Sequence, residues 1–287
     1  MKEEEENKLI IYRNILNFKK VFIYTNKYGY YISKILQFLC YKNNVYSEIV
    51  YEIDLNNFNL YIITFCQKVK VFPKNYIIYQ LEQKDISKWI DKKYELAILF
   101  SLKTVDYSKS NINKFPEIIK KKMDYYPIPI IPYQYLNNKY ICEVKPKNNI
   151  LFYGSLNNIR KNKLNYLQRK LGSKYFIKII NNIFGEELFY EILNSKIVLN
   201  IHFYKESILE TYRINEVLSC KRCVISENPN MIDIDNYNLY KDKVIFVNNL
   251  DEMIYNINNI LNKSIETPQI SMYDINDFNN KILNFNN

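Results

Sequence analysis

The sequence predicts an α/β protein built from two Rossmann-like domains, each with a parallel sheet. Short β-rich apolar runs alternate with amphipathic helical stretches through the first half. A proline-dense segment then interrupts, and the same alternation restarts after it. Strands that alternate with helices argue for parallel sheets covered by helices.

In the first half, Val21 to Thr25 is a β-rich run and Asn26 to Gly29 a turn-like tetrad. From Tyr31 to Tyr41, Ile32, Ile35, Leu36 and Leu39 share one helical face. Leu60 to Phe65 and Asn75 to Tyr79 read as buried strands, and Leu96 to Phe100 as a strand or a helix end. Asp124 to Pro132 holds Pro127, Pro129 and Pro132, which excludes a helix there. The junction is expected at about residues 130–147, giving domains of residues 1–135 and 136–287.

In the second half, strands are expected at Asn149–Tyr153, Tyr175–Ile180, Ile197–Ile201, Cys223–Ser226 and Val244–Val247. Helices are expected at Asn162–Leu171, Glu186–Asn194, Thr211–Ser219 and Leu250–Leu261. The last stretch, Ser271 to Asn287, is a weak helical pattern expected to cross back to the first domain. No repeat of 20–50 residues is present.

Composition narrows the partners. With 48% hydrophobic residues among 287, the chain can bury a core. Heavy use of Tyr, Ile, Asn and Lys is the bias of an AT-rich genome, viral or bacterial, so many lysines reflect codons. The formal net charge is +10, which attracts nucleic acid, anionic membrane or phosphorylated small molecules. Lys139 to Lys178 carries ten Lys/Arg against one Glu, whereas Glu3 to Glu6 is an acidic tail. The five cysteines are odd in number, and no secretory leader is visible. Reduced thiols in a cytoplasmic setting are expected, host cytoplasm if the source is viral. Cys220 and Cys223 form a lone C-x-x-C without a second pair, so no metal site is expected. No apolar run reaches the roughly 18–20 residues of a membrane span.

Two segments carry the chemistry. Tyr153 to Asn162 leaves a strand through Gly154 and Ser155 and adds Arg160, Lys161 and Lys163 before a helix. A glycine there admits close backbone approach, and a helix start offers free N–H groups to phosphate. A plain strand-to-helix turn has the same signature. The second segment runs from Asn200 through His202 to Glu210, Thr211, Arg213 and Glu216. Glu210 or Thr211 can cap the helix. The three charges fit either an exposed ladder of weak ion pairs or a site beside a strand end. The apolar Ile208, Leu209, Ile214, Val217 and Leu218 argue against full exposure. His202 reads either as a satisfied core histidine or as a group for proton transfer or phosphate contact.

Together these segments resemble GT-B glycosyltransferases, in particular the spore-maturation-like branch of glycosyl transferases group 1. Glu216-Val-Leu-Ser-Cys-Lys-Arg-Cys-Val-Ile-Ser226 resembles their E-A-L-S-C-G-x-x-V-I-S stretch, with Thr211, Tyr212 and Arg213 before it. Tyr153-Gly-Ser-Leu-Asn-Asn-Ile-Arg160 resembles their Y-G-S-x-x-x-x-R loop, and Val198 to His202 their V-L-N-I-H strand. Fainter echoes lie at Tyr79–Gln83 and Val105–Asn111.

The resemblance implies two domains facing across a cleft, an acceptor domain first and a nucleotide-sugar donor domain second. It implies a sugar moved from a UDP- or GDP-sugar to a glycan, protein or other acceptor, with no metal and no separate cofactor. By the same resemblance Glu216 would hold the donor ribose. Gly154, Ser155 and Arg160 would face the diphosphate, and Arg213 would support Glu216 or the sugar. His202 and Glu210 are the accompanying catalytic candidates, and Glu82, Asp106 and His202 are expected candidates for the acceptor-side base.

Two departures stand out. Ile208 occupies a position where many retaining members have glutamate, with Glu206 or Glu210 as possible substitutes. Lys221 stands where the family usually has glycine, which would place it in left-handed geometry. The alternatives are an inactive nucleotide-sugar binder of the same fold and a basic nucleic-acid-binding or modifying protein. Nucleic acid ranks as the weaker partner, because the aromatics look buried in strands.

Overall fold

Val21–Tyr24 forms β1, with Val21 and Ile23 turned into the core as the alternation predicts. The computed structural model describes residues 20–137, 145–205, 207–229 and 233–262. Among these the chain divides into two units after Pro129, at the proline-dense segment.

In the first unit β1 leads through a 3-10 turn, Lys27–Gly29, into α1 (Tyr30–Lys42). A Cβ on Gly29 would strike the Thr25 hydroxyl and the Phe65 ring, which is why that turn ends in glycine. There follow β2 (Ser47–Val50), β3 (Leu60–Ile63), β4 (Tyr76–Gln80), α2 (Lys92–Phe100) and β5 (Lys103–Asp106). Two single-turn helices, α3 (Lys109–Ile112) and α4 (Glu117–Lys120), precede β6 (Met123–Tyr125). Leu96 to Phe100 is thus the end of a helix, capped at its start by the Asp91 side chain. The sheet order is β2-β1-β3-β4-β5-β6, and every pairing is parallel.

The second unit opens with α5 (Tyr133–Asn137), directly after the prolines. It continues through β7 (Asn148–Tyr153), α6 (Asn158–Leu171), β8 (Ile177–Ile180), α7 (Gly185–Leu193) and β9 (Ser195–Asn200). Then come α8 (Thr211–Ser219), β10 (Cys223–Glu227), α9 (Ile234–Tyr240), β11 (Ile245–Val247) and α10 (Leu250–Leu261). The order is β11-β10-β9-β7-β8, again parallel throughout. Both units are therefore α/β with all-parallel sheets.

One face of the second sheet buries Ile150, Phe152, Ile197, Leu199 and Ile225 against α6 and α10. The intervening Leu151, Val198 and Val224 are buried as well. Strands covered on both faces read as continuous apolar runs, as these do. Each such side chain contributes about 1.5–3 kcal/mol when fully buried.

Among the described residues no helix is long and apolar enough to cross a membrane. Cys40, Cys66, Cys220 and Cys223 are buried, unbonded thiols, and burial pushes Cys223 up to about 12. Such thiols are inert structural groups. Cys142, Glu206, the acidic tail Glu3 to Glu6 and the stretch Ser271 to Asn287 lie outside the described residues.

Candidate functional site

The second sheet changes direction once. From β7 the chain passes to β8 on one side, while β9 pairs with β7 on the other. At such a switch point the loops beyond the strand ends diverge and open a crevice where ligands bind. The loop after β7 begins at Gly154 and runs into α6; the loop after β9 begins at Ile201 and leads to α8. Both sequence-predicted segments therefore meet at one end of one sheet.

Helix α6 starts at Asn158, four residues earlier than its apolar periodicity indicates. The Asn157 side chain accepts the Arg160 N–H and caps it. Arg160 consequently sits in the first helical turn, only 1% exposed. Its Nε donates to the Ile201 carbonyl at 2.8 Å and its Nη1 to the Ser155 carbonyl at 3.0 Å. Its Nη2 reaches both Glu210 oxygens at 3.1 and 3.2 Å. The rings of Phe152 and Phe203 lie 5.5 and 5.1 Å from the guanidinium carbon. The expectation sets Arg160 against a diphosphate; in the structure its guanidinium bonds protein acceptors and ties both loops to α8.

Arg213 approaches Glu210 from the other side, with Nη2 3.0 Å from Oε2. Its Nη1 donates to the Tyr153 carbonyl at 3.0 Å. The guanidinium lies over Gly154, where a Cβ would come within 3.0 Å of Nη2. Gly154 has φ +121°. The close approach that glycine permits is thus filled by Arg213. Glu210 occupies the N-cap position of α8, but its side chain makes no capping bond. Its carboxylate is enclosed by two arginines and the Phe203 N–H. Burial works to raise that carboxyl, but the Arg213 and Arg160 charges outweigh it and hold the group below the usual range. Removing Glu210 from this buried Arg–Glu–Arg arrangement would cost roughly 3–5 kcal/mol, because two guanidiniums lose their shared carboxylate.

Glu216 differs. It lies farther along α8 and is 8% exposed. The Tyr153 hydroxyl donates to its Oε2 at 2.9 Å. Among the described residues Oε1 makes no hydrogen bond. Burial pushes this carboxyl up to about 7, against the opposing Tyr153 hydrogen bond and the Arg213 charge. Two carboxylates at one helix are thereby driven apart: Glu210 stays ionised and fixed, while Glu216 is raised toward neutral pH and keeps Oε1 unbonded among the described residues.

No protein-family model matches the chain, and no curated protein does. The chain is similar to a solved structure described as "Crystal Structure of alpha1,3-Fucosyltransferase". The identity is 11% and the TM-score 0.49, over 93% of this chain and 87% of that one.

His202 is the second residue after β9. Its backbone N–H donates to Glu227 Oε2 at 2.9 Å, and Glu227 also pairs with Lys163. Its ring Nε2 lies 3.0 Å from the Asn228 carbonyl, which only accepts, so Nε2 carries the proton. Nδ1 is buried with no hydrogen-bond partner among the described residues. The same holds for Thr211 Oγ1 and Arg213 Nε. Ser155 is exposed at the mouth of its loop.

Tyr153 ends its strand and opens the Y-G-S resemblance, and the sequence assigns it no role of its own; its ring lies against Arg213 and its hydroxyl bonds Glu216. In the first unit Asp106 ends β5 fully buried, accepting from Ser108 N–H, Asn111 and Gln80. That network anchors Asp106 at the end of β5. Glu82 accepts from Gln67 and Ser87, and burial raises its carboxyl.

Proposed function

We propose that the chain is a glycosyltransferase of the GT-B type that binds a nucleotide diphosphate sugar at the β7/β9 switch point. The carrying observation is Glu216. A carboxyl beside a strand-end crevice, with one oxygen anchored by Tyr153 and the other unengaged, is built to accept hydroxyl donors such as those of a ribose. The ordered resemblance of residues 153–160, 198–202 and 211–226 to that family supports the same reading.

In this reading the N-terminal turns of α6 and α8 face the diphosphate and stabilise the charge that develops on it. Ser155 lies on the same loop. Arg160, Glu210 and Arg213 hold the two loops in register. The reaction joins an acceptor hydroxyl oxygen to the anomeric carbon and breaks that carbon's bond to the diphosphate. The nucleoside diphosphate leaves, and the acceptor proton passes to a base, with His202 as a candidate through Nδ1. The acceptor, a glycan, protein or other hydroxyl compound, is assigned to the first unit. Metal independence belongs to the same proposal. The test is a thermal-shift screen with UDP, GDP and their sugars. A nucleotide at a hundred times its Kd should raise Tm by roughly 5 °C or more. Glu216→Ala should abolish the shift without unfolding the protein; an equal shift in wild type and variant refutes the site.

A second reading, binding of the nucleotide sugar without turnover, is favoured by Ile208. It is buried and apolar where many retaining members have glutamate. Glu210, a nearby substitute, is enclosed by its arginines. Donor binding with no transfer to any acceptor, and no donor hydrolysis, would select this reading.

A further inference from the structure

Helix α8 carries an acceptor carboxylate whose rotamer is not secured by its own helix. Arg213, one turn earlier, gives both Nη groups to Glu210 and the Tyr153 carbonyl. The Glu216 carboxylate is held instead by a hydrogen bond from β7, 63 residues earlier in sequence. Tyr153 is the last residue of β7 and is 7% exposed. Its hydroxyl lies 2.9 Å from Glu216 Oε2 and 3.2 Å from the Arg213 carbonyl. The phenol has one proton, and the carboxylate is both the nearer and the stronger acceptor.

The phenol ring is itself held. Arg213's guanidinium carbon is 5.4 Å from the ring centroid, and the Tyr153 carbonyl accepts from the same guanidinium. Strand, arginine and phenol therefore form one rigid support under the carboxylate.

We propose that Tyr153 is the positioning residue for Glu216: by fixing Oε2 it leaves Oε1 as the single oriented acceptor for a ligand hydroxyl. The ligand part of this inference rests on the nucleotide-sugar reading above; the positioning part does not. Tyr153 does not touch the reacting atoms. It acts by keeping the carboxylate in one orientation and by favouring its ionised form, since a hydrogen bond to the charged form stabilises it. The charged and titratable groups that act on Glu216 are Tyr153 from β7 and Arg213 from α8. Cys220, just past the end of α8, responds to Glu216 in turn.

The experiment follows the Glu216 carboxyl carbon by NMR across pH in three proteins: wild type, Tyr153→Phe, and wild type carrying a fluorinated tyrosine at position 153. The fluorinated phenol is the same shape and a stronger donor, so it tests the bond in a chain that packs as wild type does. Tyr153→Phe should move the Glu216 midpoint upward by about one pH unit. The fluorinated residue should move it downward. UDP and GDP affinity, measured at pH 8 on the same proteins, should fall about tenfold in Tyr153→Phe. For turnover the loss should appear in KM more than in kcat. A midpoint that stays put in both altered proteins overturns the proposal, as does an unchanged affinity despite a moved midpoint. If both midpoints move as stated but wild type binds neither UDP nor GDP, the positioning role holds and the nucleotide reading fails.

Discussion

Glu210 and Glu216 stand six residues apart on one segment, yet their surroundings give them opposite properties. Glu210 has two arginines and is held ionised; Glu216 has a phenol, more distant cationic help, and a carboxyl raised from 4.5 to about 7. A carboxyl raised on folding keeps its proton longer in the native chain than in the unfolded one. Between pH 4.5 and 7 the native state therefore binds more protons, and stability falls as pH rises through that window. Above pH 7 the full cost of burying the charge is present, on the order of 3 kcal/mol. Glu216→Gln removes the titration. Urea unfolding should find the variant close to wild type near pH 4.5 and progressively more stable than wild type up to pH 8. A difference independent of pH would mean that Glu216 titrates normally. Glu210→Ala should act in the other direction, losing roughly 3–5 kcal/mol by stranding Arg160 and Arg213, which urea unfolding at pH 7 would register.

At the scale of elements, the loop from β7 to α6 is short because three devices coincide: Gly154 at positive φ, the Asn157 cap, and Arg160 in the first turn reaching back to the Ser155 carbonyl. Gly154→Ala meets two penalties, an unfavourable φ and a Cβ 3.0 Å from Arg213 Nη2. It should cost about 1–3 kcal/mol and loosen Arg213, which a fall in Tm and weaker nucleotide binding would register. Lys221 carries φ +54°, the left-handed geometry expected where a glycine is usual, so Lys221→Gly should be neutral or stabilising by up to about 1 kcal/mol.

These elements were unequally legible. β7, β9 and β10 are buried on both faces and announce themselves as apolar runs. β2 is a partly exposed edge strand, Ser-Glu-Ile-Val, and carries no such signal. β5, Lys-Thr-Val-Asp, has one apolar residue in four, and β6 is three residues long. α9 is two turns long, and Asp235, Asn236 and Asn238 give its seven residues the look of a loop. The site was legible as segments, since glycine, charge and strand end occur in order. Its internal pairing was not. Arg160 meets Glu210 across 50 residues, and Tyr153 meets Glu216 across 63. Only the sheet order, with β9 beside β7, brings them together.

At the scale of the whole chain, every bond described for the switch-point site joins residues between 153 and 228, all inside the second unit. That unit has its own sheet and its own core, from Ile150 on β7 to Ile260 on α10. A domain with a private core can fold alone. The piece spanning residues 130–272 should therefore unfold in one cooperative transition. Under the proposed function it should also bind UDP or GDP with the affinity of the full chain, because no group assigned to the nucleotide lies elsewhere. It should not transfer sugar, because the acceptor is assigned to the first unit. Calorimetry and a binding titration on the piece and the full chain decide this together. A folded piece that fails to bind a nucleotide the full chain does bind would place part of the donor site in the first unit. Transfer by the piece alone would remove the first unit from the acceptor's path.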